Sequence, residues 1–200
     1  MKLIKMQLSD YLDALTSRSP APGGGSASAL SGAQGIALGI MVCNLTTGKE
    51  KYKEFEAECK QAISVLTKLY DEMCIAIDKD TDAYNAVSGA YKISKDDPNR
   101  AKAIEEAMMV ATKVPFETMN IAIKAMREVK GLFGKTNVNA QSDLEVAILN
   151  LKAALFGAWL NVKINLPSLT NEEIKEKFLQ EGAQIVKEAQ EIERGLNLSI

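Results

Sequence analysis

Between Glu50 and Tyr91 the residues Tyr52, Phe55, Cys59, Ala62, Leu66, Leu69, Met73, Ala76, Asp80, Ala83 and Val87 follow one another at alternating steps of three and four. Only an α-helix turns such a spacing into one continuous stripe, so this stretch predicts a long helix packed lengthwise against others. A second row at steps of seven, Ile63, Tyr70, Ile77, Tyr84 and Tyr91, widens the apolar face beyond a two-stranded seam and toward a bundle core. No window shows sustained strand alternation.

The same signals divide the rest of the chain. Ser9 is placed to cap a short helix from Asp10 to Ser17, before the Ser19-Pro20-Ala21-Pro22 segment. Ser26 to Thr47 reads as a helix of small residues, with Ser28, Gly32, Gly35 and Gly39 spaced by four, three and four. Each helical glycine costs about 1 kcal/mol relative to alanine, a cost that a close helix crossing would offset. Asn99 to Phe133 is amphipathic and contains Pro115, which predicts a kink or a division. Asp143 to Leu166 and Asn171 to Leu196 complete the set. In the last helix Phe178, Gly182, Ile185, Ala189, Ile192 and Leu196 again alternate fours and threes. With no repeat, low-complexity tract or linker, residues 1–200 read as a single all-α domain, a helical bundle with long helices.

Composition narrows the function. Twenty-four Lys plus Arg against 26 Asp plus Glu leave a net charge of -2, too little field to hold nucleic acid. Histidine is absent, so proton transfer falls to carboxylates, Lys, Tyr or Cys, and the commonest metal ligand is missing. Cys43, Cys59 and Cys74 form no C-x-x-C pair and read as buried thiols in a reducing compartment. The amino end has no secretory apolar run, and the expected location is the cytoplasm. Gly23 to Gly48 carries no charge, but its Ala, Ser, Gly, Gln34 and Asn44 make a poor bilayer span; a helix buried in protein is expected, and no membrane partner.

Three stretches are candidates for chemistry. Pro22-Gly23-Gly24-Gly25-Ser26 opens the small-residue helix: its amides and the positive helix end favour an anion or an electron-rich ring edge, or else it is a flexible turn with Ser26 as N-cap. Asp80 occupies a place in the apolar stripe. Burial there would raise its pKa as a general acid requires; alternatively, Asp78, Asp80 and Asp82 form a solvated acidic helix end. Between Gly134 and Asp143, Ser142 and Glu145 fit a capping box, while Asn137, Asn139 and Asp143 could hydrogen-bond a polar heterocycle. Lys49, in a charged segment, could draw in a polycarboxylate tail or simply solvate a helix start.

Taken together these motifs resemble the formiminotetrahydrofolate cyclodeaminase and methenyltetrahydrofolate cyclohydrolase family. The resemblance rests on Pro20-Ala21-Pro22-Gly23-Gly24-Gly25-Ser26-Ala27, on Asp80-Thr81-Asp82-Ala83-Tyr84 (D-x-x-A-F/Y), on Asn139 with Ser142-Asp143, and on Gly157-Ala158-Trp159-Leu160-Asn161-Val162-Lys163-Ile164-Asn165-Leu166. Ala21 stands where the family often has Thr. The resemblance implies an all-helical homodimer acting on a reduced folate that carries a one-carbon unit, with no metal and no cofactor beyond the folate substrate. The implied reaction cyclises 5-formiminotetrahydrofolate to 5,10-methenyltetrahydrofolate with loss of ammonia; the alternative is hydrolysis of the methenyl compound to 10-formyltetrahydrofolate. By the same resemblance Asp80 and Asp143 are the expected catalytic residues. Pro22, Gly23, Gly24, Gly25, Ser26, Tyr84, Asn137, Asn139, Ser142 and Lys49 are the expected substrate contacts. A non-catalytic folate-binding or structural helical protein is the remaining alternative.

Overall fold

The computed structural model describes residues 2–196 and 198. Among them the chain forms six α-helices and no strand: α1 (Leu8–Thr16), α2 (Gly24–Asn44), α3 (Glu56–Lys92), α4 (Arg100–Gly131), α5 (Gln141–Asn165) and α6 (Glu172–Leu196). Helices α2, α3, α4 and α5 form a four-membered ring of neighbours, each packed against the next, and α6 lies outside against α4 and α5. The core is filled by fully buried Ile36, Leu66, Met73, Met119, Met126, Leu144, Ile148, Leu151 and Leu155.

The stripe of α3 faces inward as its periodicity predicts: Cys59, Ala62, Leu66, Leu69, Met73, Ala76 and Ala83 are all buried. The second row is buried at Ile77 but emerges at Tyr84 and Tyr91, because α3 runs on past the start of α2. The glycines of α2 do mark a close crossing. A Cβ on Gly35 would come within 2.8 Å of the Ala147 carbonyl oxygen, and one on Gly32 within 2.6 Å of the Met73 methyl.

Several boundaries differ from the sequence expectation for identifiable reasons. Helix α1 begins at Leu8 after Gln7, so Ser9 lies inside it and does not cap it. The start of the long third helix is broken off as a 3-10 segment, Glu50–Phe55, with Tyr52 outside helical geometry (φ -118°, ψ 18°). The break turns the Tyr52 hydroxyl to accept the Val138 N–H at 3.1 Å. Helix α4 continues through Pro115. The missing proline N–H would have bonded the Ala111 carbonyl, and Asn165 from α5 supplies the substitute, its Nδ2 donating to that oxygen at 2.8 Å. At the start of α5 the expected capping box is absent: the helix begins at Gln141, a 3-10 turn Val138–Ala140 precedes it, and Ser142 sits within the first turn.

Two stretches, Gly24–Asn44 and Val138–Ser168, are long and apolar enough to cross a membrane by length and composition. Both pack into the bundle, yet part of their apolar surface stays open. Met41, Val146, Leu160 and Ile164 are exposed, Ile164 by 75%.

Candidate functional site

The glycine loop enters α2 through a cis Ala21–Pro22 peptide, with Gly23 at the N-cap and no side-chain cap from within the helix. Ser26 is therefore not the cap; it lies in the first turn. The cap comes from α3. Asp80 Oδ2 accepts the Ser26 N–H at 3.0 Å and the Ser26 hydroxyl at 3.3 Å, and the Ser26 Oγ lies 3.2 Å from Thr81 Oγ1. The amide that could have held a ligand anion is thus taken by a carboxylate of the chain itself. Gly25 makes this approach possible, because a Cβ there would overlap the Asp80 carboxylate.

Asp80 belongs to the interior reading of the stripe. Burial pushes its carboxyl above the ordinary 3.8, and the two Ser26 hydrogen bonds pull in the opposite direction without overcoming it. Oδ1 accepts no hydrogen bond from any described residue. One oxygen is therefore pinned and the other is available, the arrangement a proton carrier needs. Asp78, two residues earlier and on the other side of α3, accepts the Leu3 N–H at 2.6 Å, while Asp82 is exposed, so the three aspartates do not form one solvated end.

The residues expected to form one site fall into two groups. Pro22, Gly23, Gly24, Gly25, Ser26 and Asp80 cluster at the N-terminal end of α2, with Tyr84 one turn further along α3 and 40% exposed. Lys49, Asn137, Asn139, Ser142 and Asp143 lie at the opposite end. There the Asn137 N–H donates to Thr46 Oγ1 at 3.0 Å, its Nδ2 reaches the Leu45 carbonyl at 3.4 Å, and its Oδ1 accepts the Asn139 N–H at 3.2 Å. Asn137 therefore holds its loop against the end of α2. Asn139, Ser142 and Lys49 are exposed and Asp143 is half-buried. At a rise of 1.5 Å per residue, Ser26 and Thr46 stand about 30 Å apart along the helix, so one chain does not bring the two groups together.

Sequence reasoning passed over three residues around the glycine loop and Asp80. Thr81 is bonded as described. Asn161 Nδ2 lies 3.5 Å from the place a Gly24 Cβ would occupy and donates to the Gly157 carbonyl at 2.8 Å. Tyr11 is 4% exposed, and its phenol is held above the ordinary 10.0 by burial and by the charge of Asp80. Asn161 had a signal in its motif, whereas Tyr11 had none beyond preceding the glycine loop. A groove of 770 Å³ beside the amino-terminal segment is lined by Lys2, Lys5 and Lys79 but also by Asp71, Asp78 and Asp82, so it exerts no net pull on an anion. Among the described residues no three His, Cys, Asp or Glu side chains gather as a metal site.

Comparisons with known proteins place the sequence and the fold in one family. Residues 7–184 match the family model described as formiminotransferase-cyclodeaminase. A methenyltetrahydrofolate cyclohydrolase of Methylorubrum extorquens is 39% identical over 183 residues, covering 90% of this chain and 88% of that protein. The formimidoyltransferase-cyclodeaminase of Gallus gallus is 32% identical over 196 residues, 94% of this chain but 36% of that protein, so the chain spans about a third of that larger relative. The crystal structure of formiminotetrahydrofolate cyclodeaminase from Thermotoga maritima superposes with a TM-score of 0.89 at 25% identity, covering 96% of this chain and 94% of that one. A family match across most of the chain and a relative 39% identical over 90% of it show that the chain belongs to the formiminotransferase-cyclodeaminase family.

Proposed function

We propose that this protein is a folate one-carbon enzyme that cyclises 5-formiminotetrahydrofolate, with Asp80 as the proton carrier. The observation that carries the reading is the Asp80 carboxyl itself: desolvated, fixed through Oδ2 at the start of α2, and free of hydrogen bonds at Oδ1. With the formimino group protonated, N10 attacks its carbon, Asp80 takes the N10 proton and passes it to the departing nitrogen, ammonia leaves, and the cationic N5–C–N10 methenyl bridge remains. Atoms and charge balance without an oxidant, so no cofactor beside the folate is required. A second reading, methenyl hydrolysis, uses the same tetrahedral carbon with water as nucleophile. The match to a cyclohydrolase over nearly the full length of both chains favours it. Incubation with each folate separately distinguishes them: cyclisation raises methenyl absorbance and releases ammonia, whereas hydrolysis lowers the absorbance.

We infer further that the working unit is a homodimer, the chain acting as a single domain. The outer face of α2 and α5 carries Gln34, Ala37, Met41, Leu45, Val146, Ala153, Leu160 and Ile164, an uncharged surface at helical spacing. A second copy suits it, since the face is flanked by hydrogen-bonded seams such as Ser31 to Asn150 at 3.0 Å rather than by a lipid-like rim. A two-fold axis that sets α2 antiparallel to its copy brings each Asp80 end beside the partner's Asn139 and Asp143. That juxtaposition reunites the two residue groups, with Tyr84 and Lys49 at the rim. Mixing Asp80→Asn with Asp143→Asn subunits tests it: half the dimers are then mixed, each with one intact site, and about a quarter of wild-type turnover returns. Additive residual rates with no recovery reject the shared site. The free state of all three cysteines and the net charge of -2 fit a cytoplasmic protein with no nucleic-acid partner.

A further inference from the structure

The segment ahead of the glycine loop is attached to the Asp80 region at both ends. The Leu3 N–H donates to Asp78 Oδ1 at 2.6 Å, and Ser26 bonds Asp80 at 3.0 Å. Helix α1 spans the interval as a strap. It has only marginal contact with the other helices, and of its nine residues Tyr11 alone is buried, while Leu8 and Leu12 stand 61% and 50% exposed. A helix this short has little stability of its own, so the burial of Tyr11 is what seats it.

That one anchoring side chain carries a hydroxyl with no hydrogen-bond partner, the single such buried side-chain atom among the described residues. Phenylalanine would fill the space without leaving a polar atom stranded. A phenol serving the fold would be bonded, and one serving Asp80 would already meet the open Oδ1. It does neither, although Asp80 is near enough for its charge to act on the phenol; burial first and that charge second both favour the protonated, donating form. The remaining use of a sealed donor at a proton-carrying carboxylate is an acceptor that arrives from outside.

We propose that Tyr11 is a substrate-contacting residue: α1 yields as the folate enters beside Asp80, and on reseating, the Tyr11 hydroxyl donates to an acceptor atom of the bound one-carbon folate. This rests on the reading of the Asp80 region as the folate site. The test is Tyr11→Phe, measured with 5-formiminotetrahydrofolate and 5,10-methenyltetrahydrofolate for KM, kcat and the pH–rate profile, together with a melting curve of the ligand-free protein. The expected result is a KM about tenfold higher on the substrate turned over, kcat within about twofold, an unmoved pH profile, and a melting temperature equal to or above that of wild type. An unchanged KM with an active wild type overturns the Tyr11 role alone. A displaced acid limb with unchanged KM also overturns it, because the hydroxyl would then act through Asp80. A wild type silent on both folates removes the proposed function and this contact with it.

Discussion

Replacing Gly25 with alanine probes the junction between α2 and Asp80. The new Cβ would stand 2.6 Å from Asp80 Oδ2 and closer still to its Cγ and Oδ1, against an ordinary contact of about 3.5 Å. Helix α3 cannot move away, since Met73 at 0% and Ala83 at 5% exposure lock it on either side, so the carboxylate itself must rotate. Rotation breaks both Ser26 bonds, to a charged acceptor worth about 1.5–3 kcal/mol, and residual crowding adds about 1 kcal/mol. Alanine's better helix propensity returns up to about 1 kcal/mol. The net loss is about 1.5–4 kcal/mol, a fall of roughly 3–16 °C in Tm for a chain of this size, accompanied by loss of turnover. In an Asp80→Ala background neither the clash nor the bonds exist, and Gly25→Ala becomes neutral or stabilising by up to about 1 kcal/mol. Urea unfolding of the four proteins in the cycle measures the coupling. A coupling below about 0.5 kcal/mol would refute the geometry at this junction.

Asp80→Asn keeps an oxygen for Ser26 but cannot cycle a proton, so turnover falls by about 10²-fold or more while folate binding persists. The native carboxyl sits above its usual 3.8, so Asp80 adds to stability below that pH and this contribution is lost as pH rises through the native value; the Asn variant should match or exceed wild-type Tm at neutral pH, with the gap closing in acid, as melting curves across the range will record. Asn165→Ala strands the Ala111 carbonyl that Pro115 leaves free, at a cost of about 1–3 kcal/mol in urea unfolding, and Pro115→Ala should rescue much of it. Cys43 is fully buried, with its thiol pushed up to about 12 by burial and by its neighbour Cys59, so it should resist iodoacetamide at pH 8 in the folded protein and react on unfolding, as mass spectrometry can follow.

Periodicity made the inward face of α3 readable, and it made Asp80 conspicuous as a charged residue in an apolar row. What periodicity does not encode is which element a side chain meets. The Asp80 contact to Ser26 spans 54 residues, as does the Asn165 contact that keeps α4 whole through Pro115. From the sequence, Ser26 looks like a cap and Pro115 like a break, because each is judged against its own helix. The resemblance gathered Asp80, Asn139 and Asp143 into one set in chain order. Chain order says nothing about opposite ends of a helix, which is where a single chain leaves them. Tyr11 was illegible for a similar reason: in a short amphipathic helix any apolar position can be the buried one, and an unanswered hydroxyl exists only once its surroundings do.

Because the cap on α2 comes from Asp80, the group assigned to carry the proton is also the one that starts a helix. When the carboxyl is ionised it accepts strongly from the Ser26 amide; when it holds a proton that acceptor weakens and the first turn loosens. Amide hydrogen exchange at Ser26 should therefore report the charge on a side chain 54 residues away, slowing relative to the intrinsic rate as pH rises. A catalytic cycle that loads and unloads this carboxyl would then be felt in the backbone of α2 at each turnover. The glycine loop, placed just ahead of that turn, is where the chain can absorb the disturbance without passing it to the core.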